Sequence, residues 1–332
     1  MVSTMNWTSP RFYIPALVLA VLALIPVYAS LAGQPFYVTL FTRIMIFALA
    51  ALGLNFILGF GGLVSFGHAL YLGVGAYAFG ILAAEGITSG WAHLAMAFAA
   101  GLVLAVLVGS VVLRTSGMTF IMITLAFAQM GYFLVVSLKA YGGDDGLSIA
   151  ERSAFGIVDI TNHTMFYYVV FACLAGTLWL LSRLVESRFG MVLRGVKSNE
   201  RRMLALGFPT FRYKLAAYVI SAQVCVLAGF LLANLTKFAS PSYMQWQVSG
   251  DLIVMSVLGG MNTLFGPVVG AVSYLVVEEI LSGLKPGWFP AIEEVLNRHW
   301  LALMGLFVIV IVLGFRKGIY GALVAKSARR PK

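Results

Sequence analysis

The chain has 332 residues, 61% of them hydrophobic and only 10% charged, with a mean hydropathy of +0.95 and a formal net charge of +10. Soluble domains hold about 45–50% apolar and about 25% charged residues, and a water-soluble globule needs more polar surface than this chain owns. A soluble enzyme and a nucleic-acid binder are excluded, and the positive charge becomes a question of which side of a bilayer carries it.

A helix needs about 20 apolar residues to cross the bilayer core. Ten runs approach that length: residues 12–32, 36–57, 63–84, 92–113, 118–138, 165–184, 213–235, 248–260, 265–281 and 300–315. The first follows a short segment, Met1 to Arg11, with no cleavage pattern, and is expected to remain as a span. Run 63–84 is rich in glycine and run 248–260 is short. Each either crosses or re-enters, and irregular backbone at membrane depth survives only under protein or beside a polar cavity.

Charge placement tests the count. With the N-terminus inside and ten crossings, 16 of the 22 Lys/Arg fall on the inner side, with their main clusters at 183–214 and 316–332. Lys139, Arg152, Lys237, Lys285 and Arg298 fall outside and Arg43 within a span; of the 12 acids only Glu186 and Glu200 are inside. That is the positive-inside pattern. Losing one span anywhere would put a basic cluster outside. The expected fold is an all-α polytopic membrane protein of about ten transmembrane helices, a single domain over 1–332 with both termini cytoplasmic. Its longest non-membrane segments are an outer loop, 139–164, and an inner loop, 185–212.

The chemistry is sparse. Cys173 and Cys225 lie in apolar runs, and no CxxC occurs. His68, His93, His163 and His299 show no metal-ligand spacing. There is no GxxxxGK[ST] phosphate loop. No span is expected to hold a cluster of Asp, Glu or Lys near its middle, as coupled carriers need. Energy is therefore expected to enter from elsewhere.

Three segments stand out. In 54–77, Ser65, Ala69 and Gly73 recur every four residues, as do Ala76, Gly80 and Ala84, a spacing that lets another backbone approach one helix face. Asn55, Ser65 and His68 add polar groups, and Gly59, Gly61 and Gly62 interrupt the helix. Helix packing with a satisfied histidine explains any single residue. For the whole segment, a break lining a translocation path is the better account, with Asn55, Ser65, Gly67, His68 and Gly73 as candidate path residues. The inner loop reads as one amphipathic helix, with Val192, Val196, Met203 and Leu206 on one face and Arg194, Lys197 and Arg201 on another, stopped by Gly207 and Pro209. It either lies on anionic lipid or docks a cytoplasmic partner. The outer run 141–147 sets Asp144 and Asp145 among glycines, as a solvated turn or as a contact for a ligand or docking protein; it is too short for an EF-hand. A further glycine–proline run, 258–267, reads as a turn between short spans.

Taken together these segments resemble one family. The Asn-Phe-Ile-Leu-Gly and Leu-Val-Ser-Phe-Gly-His-Ala core of 54–77 is similar to the permease subunits of branched-chain amino-acid ABC importers (LivM-type, the LivH/LivM permease family). So are Leu125-Ala-Phe-Ala-Gln-Met, Gly142-Gly-Asp-Asp-Gly-Leu, the loop from Leu193-Arg-Gly through Asn199-Glu-Arg-Arg to Ala205-Leu-Gly, and Val257-Leu-Gly-Gly-Met with Gly266-Pro. The matches run in order over roughly 40–315. The resemblance implies a type II ABC importer-like permease in the bacterial inner membrane. It implies a homologous second permease subunit, two ABC ATPase subunits that use ATP and magnesium, and a periplasmic substrate-binding protein. The chain itself then binds no cofactor and is no enzyme. Loop 185–212 becomes the ATPase-coupling element, with Arg194, Lys197, Glu200, Arg201 and Gly207 as its candidate residues. The usual importer signature places a Gly six residues after a Glu, whereas Glu200 to Gly207 is seven. Leucine, isoleucine and valine are the default substrates; urea, short amides and aromatic acids belong to the same permease family. A stand-alone secondary carrier is the competing class, and it would need an ion site or a continuous pore.

Overall fold

The computed structural model describes residues 10–156, 160–283, 300–315 and 318–328. The helices are α1 Pro10–Ala32, α2 Phe36–Asn55, α3 His68–Ala84, α4 Gly90–Val112, α5 Met118–Ser137, α6 His163–Glu186, α7 Arg188–Ser198, α8 Glu200–Ala205, α9 Thr210–Thr236, α10 Trp246–Gly259, α11 Gly266–Ser282, α12 Trp300–Gly314 and α13 Gly318–Ala328. All ten apolar runs carry a helix. Seven helical stretches are long and apolar enough to cross a bilayer: α1, α2 with its extension to Phe60, α4, α5, α6, α9 and the stretch Trp300–Ala322, which takes in α12 and the start of α13. Helices α3, α10 and α11, with 17, 14 and 17 residues, fall short of that length. Lys285, Arg298, Arg316, Lys317, Arg329, Arg330 and Lys332, which enter the charge count, lie outside the described residues.

The molecule is apolar on its surface as well as inside. Leu17, Leu24 and Leu31 of α1, Val103 and Leu107 of α4, Phe133 and Leu134 of α5, and Leu306, Ile309 and Leu313 of α12 are all exposed. Such a surface would associate in water and is natural in lipid. The core is instead the pair α2 and α9, buried along most of their length, with α3 packed against α9. Lipid supplies little hydrophobic drive between helices, so these contacts depend on close packing. At Gly75 a Cβ would lie 2.0 Å from the Val226 carbonyl, and at Gly229 1.8 Å from that of Leu72. Only glycine permits this α3–α9 crossing. Gly75 and Gly229, with Gly73 against Met244, therefore carry the small-residue contact. The expected row Ser65–Ala69–Gly73 does not form, because α3 begins at His68 and Ser65 sits in the irregular stretch before it.

At one end of the helices, the segment after α5, expected as the outer loop, makes a turn at Lys139–Tyr141 and then a short strand, β1 Leu147–Ser148. It pairs antiparallel with β2 Phe238–Ala239, Leu147 opposite Ala239, and so ties the outer loop to the end of α9. Arg152 adds hydrogen bonds to the carbonyls of Asn234 (3.0 Å), Ile160 (2.9 Å) and Thr161 (3.1 Å). The loop 185–212, expected as one inner helix, is two, α7 and α8. Asn199 breaks them with extended backbone, and its side chain accepts from the Arg202 amide to cap α8. An Asn at this place gains more as an N-cap than as a mid-helix residue. The expected apolar face divides accordingly: Val192 and Val196 are buried under α7, whereas Leu206, past the end of α8, is exposed.

Candidate translocation and coupling site

Helix α2 does not end as an α-helix. Residues Phe56–Phe60 form a π-turn, and the amides of Gly61 and Leu63 both bond the Ile57 carbonyl, at 3.0 and 3.1 Å. Such bulges unwind a helix locally and are frequent at functional sites. The chain then runs irregularly until α3 restarts at His68, so the interruption expected from Gly59, Gly61 and Gly62 is present.

The polar groups around it are buried inside this chain. His68 Nδ1 lies 2.9 Å from Ser65 Oγ, and Nε2 lies 2.8 Å from Ser221 Oγ. Ser221 spends its only proton on the Gly53 carbonyl at 2.6 Å. His68 Nε2 must therefore be the donor to Ser221, and Nδ1 the acceptor from Ser65. One neutral tautomer satisfies every atom. Ser65 in turn accepts from the Gly67 amide at 3.2 Å. The amides of Phe66 and Ala69 find Thr124 of α5 (3.2 Å) and Ser249 of α10 (2.8 Å). These hydroxyls satisfy donors that a helix start leaves open. Ser65 and His68 thus meet, with Gly67 packed on the Thr124 backbone. Ser221, Thr124 and Ser249 were missed, since each is a single hydroxyl in an apolar run with nothing nearby to mark it. The surface of this stretch is made by Gly62, Leu63, Val64 and Phe66.

Below the break lies a joint. The α10–α11 turn comes so close that a Cβ on Gly59 would stand 1.8 Å from the Met261 carbonyl. Asn55, buried at the α-to-π junction, donates from Nδ2 to the Thr263 carbonyl at 2.9 Å. Lys197 of α7 reaches the same place: its ammonium donates to the Gly59 carbonyl at 2.6 Å and to Asn262 Oδ1 at 2.9 Å. The turn 258–267, which sequence alone explains by its glycines and proline, is thus part of the site. It also walls a cavity of about 330 Å³ with α12 and α13, lined by Asn262, Thr263, Ile311 and Phe315 among others.

The other coupling candidates separate. Arg194 folds back on the Gly190 and Val185 carbonyls, at 3.2 and 3.1 Å. Glu200 accepts from Lys214 at 2.6 Å and from Thr210 Oγ1 at 3.1 Å, so it fastens α8 to the start of α9. Arg201 and Gly207 are exposed. On the opposite side of the molecule Asp144 and Asp145 are exposed in a turn with left-handed glycines at 142, 143 and 146. Tyr141 beside it donates to Glu85 at 3.0 Å, a bond to a carboxylate that holds its phenol above the usual range.

Polar groups do meet between spans: Tyr274 of α11 donates to Asp251 of α10 at 2.9 Å. The two sit on different helices, so no single run displays the pair.

A helical core with a broken central helix and seven stretches able to cross a bilayer defines a polytopic membrane protein. The family described as "Branched-chain amino acid transport system / permease component" matches residues 36–315, and the chain belongs to it. It is 27% identical over 307 residues to the high-affinity branched-chain amino acid transport system permease protein LivM of Salmonella typhimurium, covering 82% of this chain and 72% of that one. The figures are the same for the LivM protein of Escherichia coli. For the probable branched-chain amino acid transport permease protein LivM of Methanocaldococcus jannaschii they are 24%, 82% and 89%. No solved structure matches the chain.

Proposed function

We propose that the chain is the membrane-spanning subunit of an ATP-driven importer of branched-chain amino acids. The observation that carries this reading is the family match across residues 36–315, which takes in the broken helix, the outer turn, the inner helix pair and the α10–α11 turn. In this reading a second permease chain completes the path, two ATPase subunits hydrolyse ATP below it, and a binding protein outside delivers leucine, isoleucine or valine. Helices α7 and α8 are the surface offered to an ATPase subunit, supported by the exposed Arg188, Arg201 and Arg202. The substrate passes the open side of the break, along Val64 and Phe66, while the hydrogen-bonded side around His68 stays closed. Asp144 and Asp145 face the binding protein.

Proteoliposomes holding this chain with its permease and ATPase partners should take up labelled leucine only with ATP on the ATPase side and binding protein on the other. Uptake by the chain alone, driven by an ion gradient, would replace this reading with a secondary carrier. The proposed orientation in a bacterial inner membrane has both termini cytoplasmic. With Cys173 replaced, cysteines at the exposed positions Ser198 and Ser148 should label from opposite sides of the membrane. Labelling of both from outside overturns the orientation.

A further inference from the structure

We propose that Lys197 is the positioning residue through which the inner helices act on the broken core, and that it is not a contact to the ATPase. The inference rests on the permease reading above. Three independent parts of the fold meet at its ammonium. The first is α7, which carries it. The second is the π-turn that ends α2: the Gly59 carbonyl takes the ammonium at 2.6 Å. A helix C-terminus concentrates negative partial charge, so a cation there is favoured. The third is the α10–α11 turn, where Asn262 Oδ1 takes a second bond at 2.9 Å. Its stem is guided as well as its tip. Gly62 stands at φ +72°, and a Cβ on it would lie 2.9 Å from Lys197 Cγ, so the left-handed glycine opens the channel along which the side chain runs.

The joint below is already closed without it, by Asn55 on Thr263 and by the contact of Gly59 with Met261. Lys197 therefore does not hold the two loops to each other; it ties both to α7. Among the described residues it is the only side chain of α7 or α8 with a hydrogen bond to either loop. Arg194 bonds only its own helix and the end of α6, and Glu200 bonds only the start of α9. Through its two hydrogen bonds, a displacement of α7 by a partner reaches the end of α2 and the α10–α11 turn together. Because Lys197 is exposed, water can replace its bonds at little cost. That suits a tie that is made and broken in each cycle.

The test uses the complete transporter in vesicles, with leucine uptake and ATP hydrolysis measured on the same preparation and assembly followed by co-purification. Lys197→Met should assemble and hydrolyse ATP near the wild-type rate, yet move about tenfold less leucine per ATP, the scale of a typical coupling energy. Lys197→Arg, which keeps a donor cation, should recover most of the ratio. Lys197→Cys in a Cys173→Ala background should be uncoupled and should regain coupling when aminoethylation rebuilds an ammonium at that position. A wild-type leucine-to-ATP ratio in Lys197→Met overturns the proposal. Failure of Lys197→Met to co-purify with the ATPase also overturns it, in favour of a docking or structural role, as does a Cys variant that assembles but is not rescued. If the wild-type complex itself shows no ATP-driven uptake, the permease reading fails instead.

Discussion

The α3–α9 crossing and the α7–α8 segment solve opposite problems with different contacts. At the crossing, backbones touch: Gly75 faces the Val226 carbonyl and Gly229 that of Leu72, with no side chain between to adjust. In the α7–α8 segment the hydrogen-bonded ties to the broken end of α2, to the α10–α11 turn and to α9 are instead long charged side chains, Lys197 on Gly59 and Asn262 and Glu200 on Lys214. A contact between backbones has one geometry. A contact through a lysine stem survives a shift of its helix. The difference separates a contact with one geometry from a contact that tolerates displacement.

The comparison breaks most directly at the crossing. Gly229→Val adds atoms where a carbonyl already stands, so the helices must separate, at a cost of about 3 kcal/mol. The detergent-solubilised protein should melt well below wild type. Gly176→Ala is the control, since nothing lies within 4 Å of its missing Cβ, and should leave the melting temperature unchanged. Equal losses from both would mean that the crossing is not specially tight.

Next in size is the buried chain of hydroxyls beside the crossing. Ser221→Ala removes the acceptor of His68 and the donor to Gly53. Leaving such groups unpaired costs about 1–3 kcal/mol, to be read as a lowered melting temperature. The same stretch tests the proposed path. Cysteines at Val64 and Phe66 should react with small water-soluble thiol reagents, and cysteines at Ser65 and His68 should not. Reaction at all four in the resting protein would place the path on the hydrogen-bonded side.

A smaller effect divides two neighbours on α8. Lys214 is only 11% exposed and Glu200 41%, and the pair sits 2.6 Å apart. Glu200→Gln should cost about 1 kcal/mol, a partly exposed pair being screened by solvent. Arg201→Ala should cost no stability, because Arg201 is exposed, and should lower leucine-stimulated ATP hydrolysis in the assembled complex. A stability loss at Arg201 with normal coupling would reverse the two roles.

Much of this was legible beforehand, for reasons that differ by place. The ten helical runs follow from apolar length, and the interruption at 59–67 follows from three glycines within four residues. Ser65 and His68 stood out in the sequence as polar residues of one segment, though their pairing was not read from it. The partners contributed by other helices were not: Ser221 lies 153 residues from His68, and Asn262 lies 65 residues from Lys197. The Tyr274–Asp251 bond was hidden likewise, since its members sit on different helices and meet only when α10 and α11 pack. The inner loop was read as one helix because its apolar period runs on past Asn199. The capping bond that breaks it depends on one side chain and not on the period.

The smallest expected effect lies on the outer face, where a turn combines both kinds of construction. Its backbone is fixed by glycines: Gly142 stands at φ +88°, and a Cβ there would come 2.0 Å from the Gly146 carbonyl. Its acids are carried loose, for Asp144 and Asp145 are exposed and neither side chain hydrogen-bonds among the described residues. Replacing both acids by Asn should therefore change stability by less than about 0.5 kcal/mol, the usual range for surface substitutions. If this turn meets the binding protein, the Asn variant should still weaken that association in a salt-dependent way, because rim charges act mainly on encounter rates. Association rates measured at low and high salt, on the variant and the wild type, decide it. An unchanged rate at low salt leaves the acids as a solvated turn and moves the docking surface elsewhere on the outer face.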